Sequence, residues 1–173
     1  VGFDGHIDSA EVEERGPLRL VVLLKGQYLA AGASPFMSWL ARIHFYDGQS
    51  FVKLYHTFVQ DAAAQTLDLR RLTIRLNPEF DGKIAAALGS RSTQSPHGFV
   101  FGDLTTPVSL SQQTIGRHVL DDGSPTRHDG NAHGWVSVGD RSASVTMKLR
   151  RPWQNYPKAY RASKEEISID LYP

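Results

Sequence analysis

Two stretches of this chain combine residue types that can hold and activate a polar, ring-shaped ligand. The first is Arg42-Ile43-His44-Phe45-Tyr46, followed after Asp47-Gly48 by Val52-Lys53-Leu54-Tyr55-His56-Thr57-Phe58. Asp-Gly between two alternating runs is a strong hairpin signal. Side chains along a strand alternate between faces, and residues opposite each other in an antiparallel pair share one. With the loop at Asp47-Gly48 or at Gly48-Gln49, Ile43 and Phe45 fall with Val52, Leu54 and Phe58, the expected core side. The other side collects Arg42, His44, Tyr46, Lys53, Tyr55 and Thr57. Arg42 can pair a carboxylate in a bidentate fork. His44, Tyr46, Lys53 and Tyr55 are candidate proton-transfer groups if their environment tunes them. No acid lies between Arg42 and Thr57 except Asp47 in the turn, so the strands themselves supply nothing to offset the cations. This is chemistry for an acidic sugar. The plainer alternative is a solvated outer face. His56 falls on the apolar side, where a histidine is expected to be a hydrogen-bonded structural residue.

The second stretch is Arg150-Arg151-Pro152-Trp153-Gln154-Asn155-Tyr156-Pro157-Lys158. Each proline fixes its own φ and drives the preceding residue toward extended backbone. A stiff connection is therefore expected, carrying Arg151, Trp153, Gln154, Asn155 and Lys158 as candidate substrate-binding groups. An aromatic ring stacks on the C–H face of a sugar, and amides and cations take its hydroxyls and carboxylates. The alternative is a structural crossover, with Trp153 plugging the edge of the core.

The elements around these stretches read as nearly all β. Strands are expected at Leu18–Lys25, Ala41–Tyr46, Phe51–Val59, Leu67–Leu76, Lys83–Leu88, Gly98–Phe101, Thr114–Leu120, Trp135–Val138, Ala143–Leu149 and Glu166–Leu171. Turn residues separate them, which points to an antiparallel β-sandwich with little or no helix. Ala62–Gln65 and Ile84–Leu88 are the only places where a helical turn or two is conceivable. Ser90–Pro96 and Asp121–His133 read as polar loops. With 173 residues the chain is read as one β-sandwich domain, 1–173. It opens on Val1-Gly2-Phe3 without Met and closes on Leu171-Tyr172-Pro173 as a strand finishes. It is therefore read as a piece of a longer multidomain protein.

Bulk properties exclude several classes. A net charge of +1 gives no support to a nucleic-acid or membrane partner. The absence of cysteine excludes disulfides and thiolate metal sites, and leaves the compartment open. His128-Asp129-Gly130-Asn131-Ala132-His133 clusters possible ligands, but in a Gly-rich loop without further donors. Asp121, Asp122 and Asp129 lack EF-hand spacing. No metal or cofactor is expected. There is no nucleophile elbow, P-loop or dinucleotide fingerprint. His118 lies in an expected strand without an evident partner. Glu13-Glu14 and Glu165-Glu166 read as solvated charges at strand ends.

The hairpin from Arg42 to Phe58 resembles the R-hydrophobic-HFY…L-x-HTF hairpin of the exo-rhamnogalacturonan lyase family, also called PcRGLX/YetA-like. Gly134-Trp135-Val136 and Trp153-Gln154-Asn155-Tyr156-Pro157-Lys158 resemble that family's GW strand and its FWQ-x-F/Y-PK segment. Arg151-Pro152-Trp153 departs from the aromatic that is common before the tryptophan. Glu14-Arg15-Gly16-Pro17-Leu18-Arg19 and Ile169-Asp170-Leu171-Tyr172-Pro173 are similar to its strand boundaries. The resemblance implies the central β-sandwich domain, a supersandwich of galactose-mutarotase-like type. It implies an adjacent α/α toroid domain in the same chain, and β-elimination on rhamnogalacturonan, a rhamnose-containing acidic pectin. It assigns no catalytic position. Such a reaction needs a neutralised carboxylate, a base for the C5 proton, and an acid or charge stabiliser at O4. This piece would supply one wall of the cleft. The rival expectation is a scaffold or carbohydrate-binding sandwich without catalysis.

Overall fold

The computed structural model describes residues 2–32, 35, 37–59, 69–93, 95 and 97–172. The chain divides into two compact units, Val1–Leu67 and Asp68–Pro173. Every sheet in both is antiparallel, and the one helical element described is a three-residue 3-10 turn.

The first unit is a four-stranded meander, β1 (Asp4–Arg15), β2 (Arg19–Leu29), β3 (Ser38–Tyr46) and β4 (Val52–Val59), in that order across the sheet. The β3–β4 turn closes with the Gln49 amide donating to the Tyr46 carbonyl at 3.2 Å. Gly48 sits there at φ 66°, a left-handed conformation that glycine adopts without a Cβ penalty. The ladder resumes at Phe45↔Val52, then Ile43↔Leu54 and Trp39↔Phe58. The expected parity of the hairpin therefore holds.

The apolar side is not a closed core throughout. Trp39 and Ala41 are buried, but Phe45, Val52, Leu54 and Phe58 are 40–53% exposed. The first unit is a single layer, and among its described residues no second sheet covers that face. His56 lies on it, stacked on Trp39 (6.0 Å, 21°) with Nε2 3.0 Å from the Tyr28 hydroxyl. It is the hydrogen-bonded structural histidine expected. Burial holds its pKa below the usual imidazole value.

The second unit is the sandwich. One sheet has six strands in the order β10-β9-β8-β13-β14-β5 and the other four, β12-β11-β6-β7. In chain order they are β5 (Leu72–Leu76), β6 (Ala85–Ser90), β7 (Phe99–Phe101), β8 (Val108–Thr114), β9 (Arg117–Asp121), β10 (Thr126–Asp129), β11 (Ala132–Gly139), β12 (Ser144–Lys148), β13 (Lys158–Ala162) and β14 (Ile167–Tyr172). Leu88, Val136 and Val138 of the small sheet share one buried cluster with Leu110, Tyr160, Ile167 and Ile169 of the large one. The alternation that marks these strands is the alternation that fills the interior.

Several expectations need correction. The strand expected at Lys83–Leu88 is present as Ala85–Ser90, an inner strand between β7 and β11, and the helical turn conceivable at Ile84–Leu88 does not form. The expected strand Leu67–Leu76 is described only as Leu72–Leu76, and Ala62–Gln65 lies outside the described residues. Thr114–Leu120 is not one strand: Thr114 ends β8, Ile115-Gly116 make the turn with Gly116 at φ 76°, and Arg117–Leu120 belong to β9. Asp121–His133 contains β10 and the start of β11. β1 is not among the strands expected from the sequence, which marks only its Glu13-Glu14 end. Its twelve residues are all exposed, so an edge strand of this kind carries no apolar alternation to detect.

Candidate functional site

The polar face of the first unit is assembled from all four strands. Register places Arg42 opposite Tyr55 and His44 opposite Lys53. The His44 ring lies 5.0 Å from Tyr55 edge-on and 6.4 Å from Tyr46 in near-parallel stacking. The Lys53 ammonium sits 5.3 Å from the centroid of the Tyr46 ring, within the range of a cation–π contact. Tyr55 is 57% exposed, Lys53 is exposed, and His44 and Tyr46 are half-buried. The structure thus brings His44, Tyr46, Lys53 and Tyr55 together, as parity predicted. Nδ1 of His44 is closed off from solvent and has no hydrogen-bond partner among the described residues.

The acids missing from the hairpin come from β1. Arg42 donates from Nε and Nη2 to the two carboxylate oxygens of Glu13, at 2.7 and 2.8 Å. Lys25 pairs with Glu11 at 2.7 Å, and Arg19 makes a fork to Glu14. Two consecutive glutamates reach one face because β1 has a register shift between Val12 and Glu14. An extra residue at a bulge breaks the alternation, so neighbours can point the same way. The hydrogen bonds from Arg42, aided by its charge, hold the Glu13 carboxyl below the usual carboxylate range. Reading Glu13-Glu14 as solvated strand-end charges missed this. The adjacent acids were the available signal, but a bulge has no local signature here.

The second group lies in the other unit. Pro152–Gln154 forms a 3-10 turn, η1, entered through Arg151 at φ 52°, ψ 55°. The expected extended residue before Pro152 is therefore a left-handed one. Pro152 is buried, and a Cβ on Gly134 would meet its ring at 2.8 Å. With that plug in place between β12 and β13, Arg151 takes the sharp reversal. It is thus Pro152 that plugs the core, while Trp153 is half-buried. Gln154 and Asn155 are exposed, and the Tyr156–Pro157 peptide is cis. Lys158 begins β13, and its ammonium donates to the Pro157 carbonyl at 3.0 Å. Partial burial lowers its pKa from the ordinary lysine value.

A third polar cluster was not anticipated. His118 is fully buried in β9. Its Nδ1 lies 3.1 Å from the Gly130 carbonyl, so that nitrogen carries the proton and donates. Nε2 then accepts the Ser90 hydroxyl at 2.9 Å. The ring stacks on His128 (5.5 Å, 20°), and His128 lies 4.8 Å from Phe99. Buried Gln112 takes the Ala132 amide at 2.6 Å and donates to the Arg117 carbonyl at 3.1 Å. These bonds tie the ends of β6, β8, β9 and β11 together. Burial, with the nearby His128, holds the His118 pKa below the usual imidazole value, against the opposing Gly130 bond and Asp129 charge. The unfolded chain therefore binds a proton more readily than the folded one. Stability from this group is present above the unfolded pKa and falls as pH drops below it toward the lowered folded value. Thermal unfolding should show a lower Tm at pH 5.5 than at pH 7.5. In His118→Gln that pH-dependent loss should shrink, even though the Tm at pH 7.5 is itself lower. An unaltered loss in the variant would show that other groups carry it.

Among the described residues no group of three His, Asp or Glu side chains could hold a metal ion, and no helix is long and apolar enough to cross a membrane.

The fold and this face define an all-β, antiparallel sandwich-class protein that presents a phenolic and cationic sheet surface. Residues 1–84 match the family model of the PcRGLX-like protein central beta sandwich domain. The match bears out the family read from the Arg42–Phe58 hairpin, and it ends before the Trp153–Lys158 segment. No curated protein and no solved structure matches the chain.

Proposed function

We propose that the polar face of the first unit contacts an acidic sugar, as one wall of the substrate cleft of a polysaccharide lyase-like protein acting on rhamnogalacturonan. The observation that carries this reading is the exposed Lys53–Tyr55 pair beside His44 and Tyr46, within the family-matched segment. Lys53 offers an accessible cation to a uronate carboxylate, and Tyr55 offers a ring face to the sugar. Neutralising the carboxylate acidifies the C5 proton, the first requirement of β-elimination. His44 and the two phenols line the same surface where a proton would leave or arrive. Trp153, Gln154, Asn155, Arg151 and Lys158 remain proposed sugar contacts of the second unit. The adjacent α/α toroid expected from the resemblance is the proposed partner that completes the cleft.

A second reading is a non-catalytic scaffold or glycan-binding module. It is favoured by the three ion pairs of Glu11, Glu13 and Glu14, which balance the face as on an ordinary solvated sheet.

The test is calorimetric binding of rhamnogalacturonan I oligosaccharides, with ultraviolet detection of unsaturated uronide product. Lys53→Ala and Tyr55→Ala should each weaken binding about tenfold, the loss of one charged or stacking contact. Binding untouched by both substitutions would remove this face from the site. Absence of both binding and product would leave the scaffold.

A further inference from the structure

The geometry of the Arg42–Glu13 pair points to a device within this face. We propose that Glu13 is a built-in competitor for Arg42, displaced when a uronate carboxylate of the sugar takes the guanidinium fork. The proposal rests on the sugar-contact reading above and adds a specificity-determining residue to it.

Three observations carry it. First, the fork is fully used: both carboxylate oxygens of Glu13 accept from Arg42, through Nε and Nη2. A uronate presents the same planar pair of oxygens, so the same two bonds can be remade with a different carboxylate. Second, the pair is open to solvent on both sides, with 40% and 37% of the two side chains exposed. An exposed ion pair contributes little net stability, so breaking it costs little and remaking it with a ligand is close to an even exchange. Third, Glu13 sits at the β1 bulge, where the ladder passes from Val12↔Val22 to Glu14↔Val21. It is the residue without a cross-strand partner, and its side chain can leave without disturbing a register pair. Tyr55 lies directly opposite Arg42 in β4, and Lys53 two residues along, so a carboxylate arriving at Arg42 would bring its sugar ring over the exposed aromatic.

The exchange makes recognition conditional. A neutral sugar has no group that can replace Glu13 on the fork, so Arg42 stays occupied. A uronate replaces it with no change in the charge around the guanidinium. At Arg42, discrimination then lies in the swap rather than in a vacant cation, alongside the accessible ammonium of Lys53.

The experiment is a double-substitution cycle read by calorimetry, with galacturonate–rhamnose oligosaccharides and their methyl-esterified forms as probes. Glu13→Gln should tighten binding of the free acid about threefold, the competition an exposed pair exerts. In an Arg42→Gln background the same substitution should have no effect, and for the methyl ester it should have none in either background. A gain in both backgrounds would reveal a general charge effect and overturn the proposal. A weakening by Glu13→Gln would make Glu13 a positioning residue for Arg42 instead. Binding of every variant with equal affinity defeats the exchange but leaves the sugar-contact reading, whereas binding by none defeats both.

Discussion

Leu88→Ala is expected to lower the unfolding free energy of the second unit by about 3–5 kcal/mol, the range for a buried leucine truncated in a close-packed interior. Leu88 has no exposed surface and lies on β6, an inner strand of its sheet. Val136 of β11 pairs with it on one side and Phe99 of β7 on the other. It shares the buried cluster with Leu110, Tyr160 and Ile169 of the opposite sheet. A cavity there is framed by backbone ladders, which cannot collapse inward, so both the lost transfer energy and the void are felt. Urea unfolding followed by tryptophan fluorescence measures it, since Trp135 and Trp153 belong to this unit. Leu54→Ala is the internal contrast. Leu54 is 44% exposed on the open face of the first unit and should cost on the order of 1 kcal/mol. Equal losses at the two sites would refute the assignment of the interior to the second unit's two sheets.

Gly26→Ala should be the most damaging small substitution in the first unit. Gly26 pairs with Ile7 of β1 and Trp39 of β3. A Cβ at this position would stand 1.9 Å from the His6 carbonyl oxygen and 2.5 Å from the Trp39 ring. The first neighbour is backbone and the second a buried indole, so neither yields without opening the β1–β2 ladder. Overpacking costs about 1–3 kcal/mol, and a clash with backbone belongs at the upper end or beyond. Gly48→Ala provides the comparison. Open space surrounds that position, so only the left-handed φ is penalised, at about 1–2 kcal/mol. Near-ultraviolet circular dichroism of Trp39 and the denaturation midpoint report both variants. If Gly26→Ala left the Trp39 signal and midpoint unchanged, the close approach of β1 and β2 would be wrong.

The damage at Gly26 also bears on the proposed site. β1 carries Glu11, Glu13 and Glu14, and β2 carries Lys25 and Arg19, so loosening that ladder removes the acids from the cations of the polar face. The polar face proposed to contact sugar is therefore coupled to a packing contact on the opposite side of the same sheet.

Much of the architecture was legible in the residues themselves. The Arg42–Phe58 hairpin could be located, and its faces sorted, because turn chemistry and period-two alternation are local properties that backbone geometry imposes on neighbouring residues. His44, Tyr46, Lys53 and Tyr55 fell on one surface for that reason, and the same hairpin carried the family resemblance. Other features depended on residues distant in sequence. The acid that occupies Arg42 comes from a strand 29 positions away and reaches it through a bulge. Asp170, read as part of a strand boundary, is 1% exposed, holding Arg161 at 3.0 Å and the Thr73 hydroxyl at 2.7 Å. His118 gained its partners from the end of β6 and the turn after β10, and Pro152 became a core plug only against Gly134. Alternation tells which way a side chain points. What meets it there is set by register shifts, close approaches and the pairing of remote strands, and those are decided only when the sheets assemble.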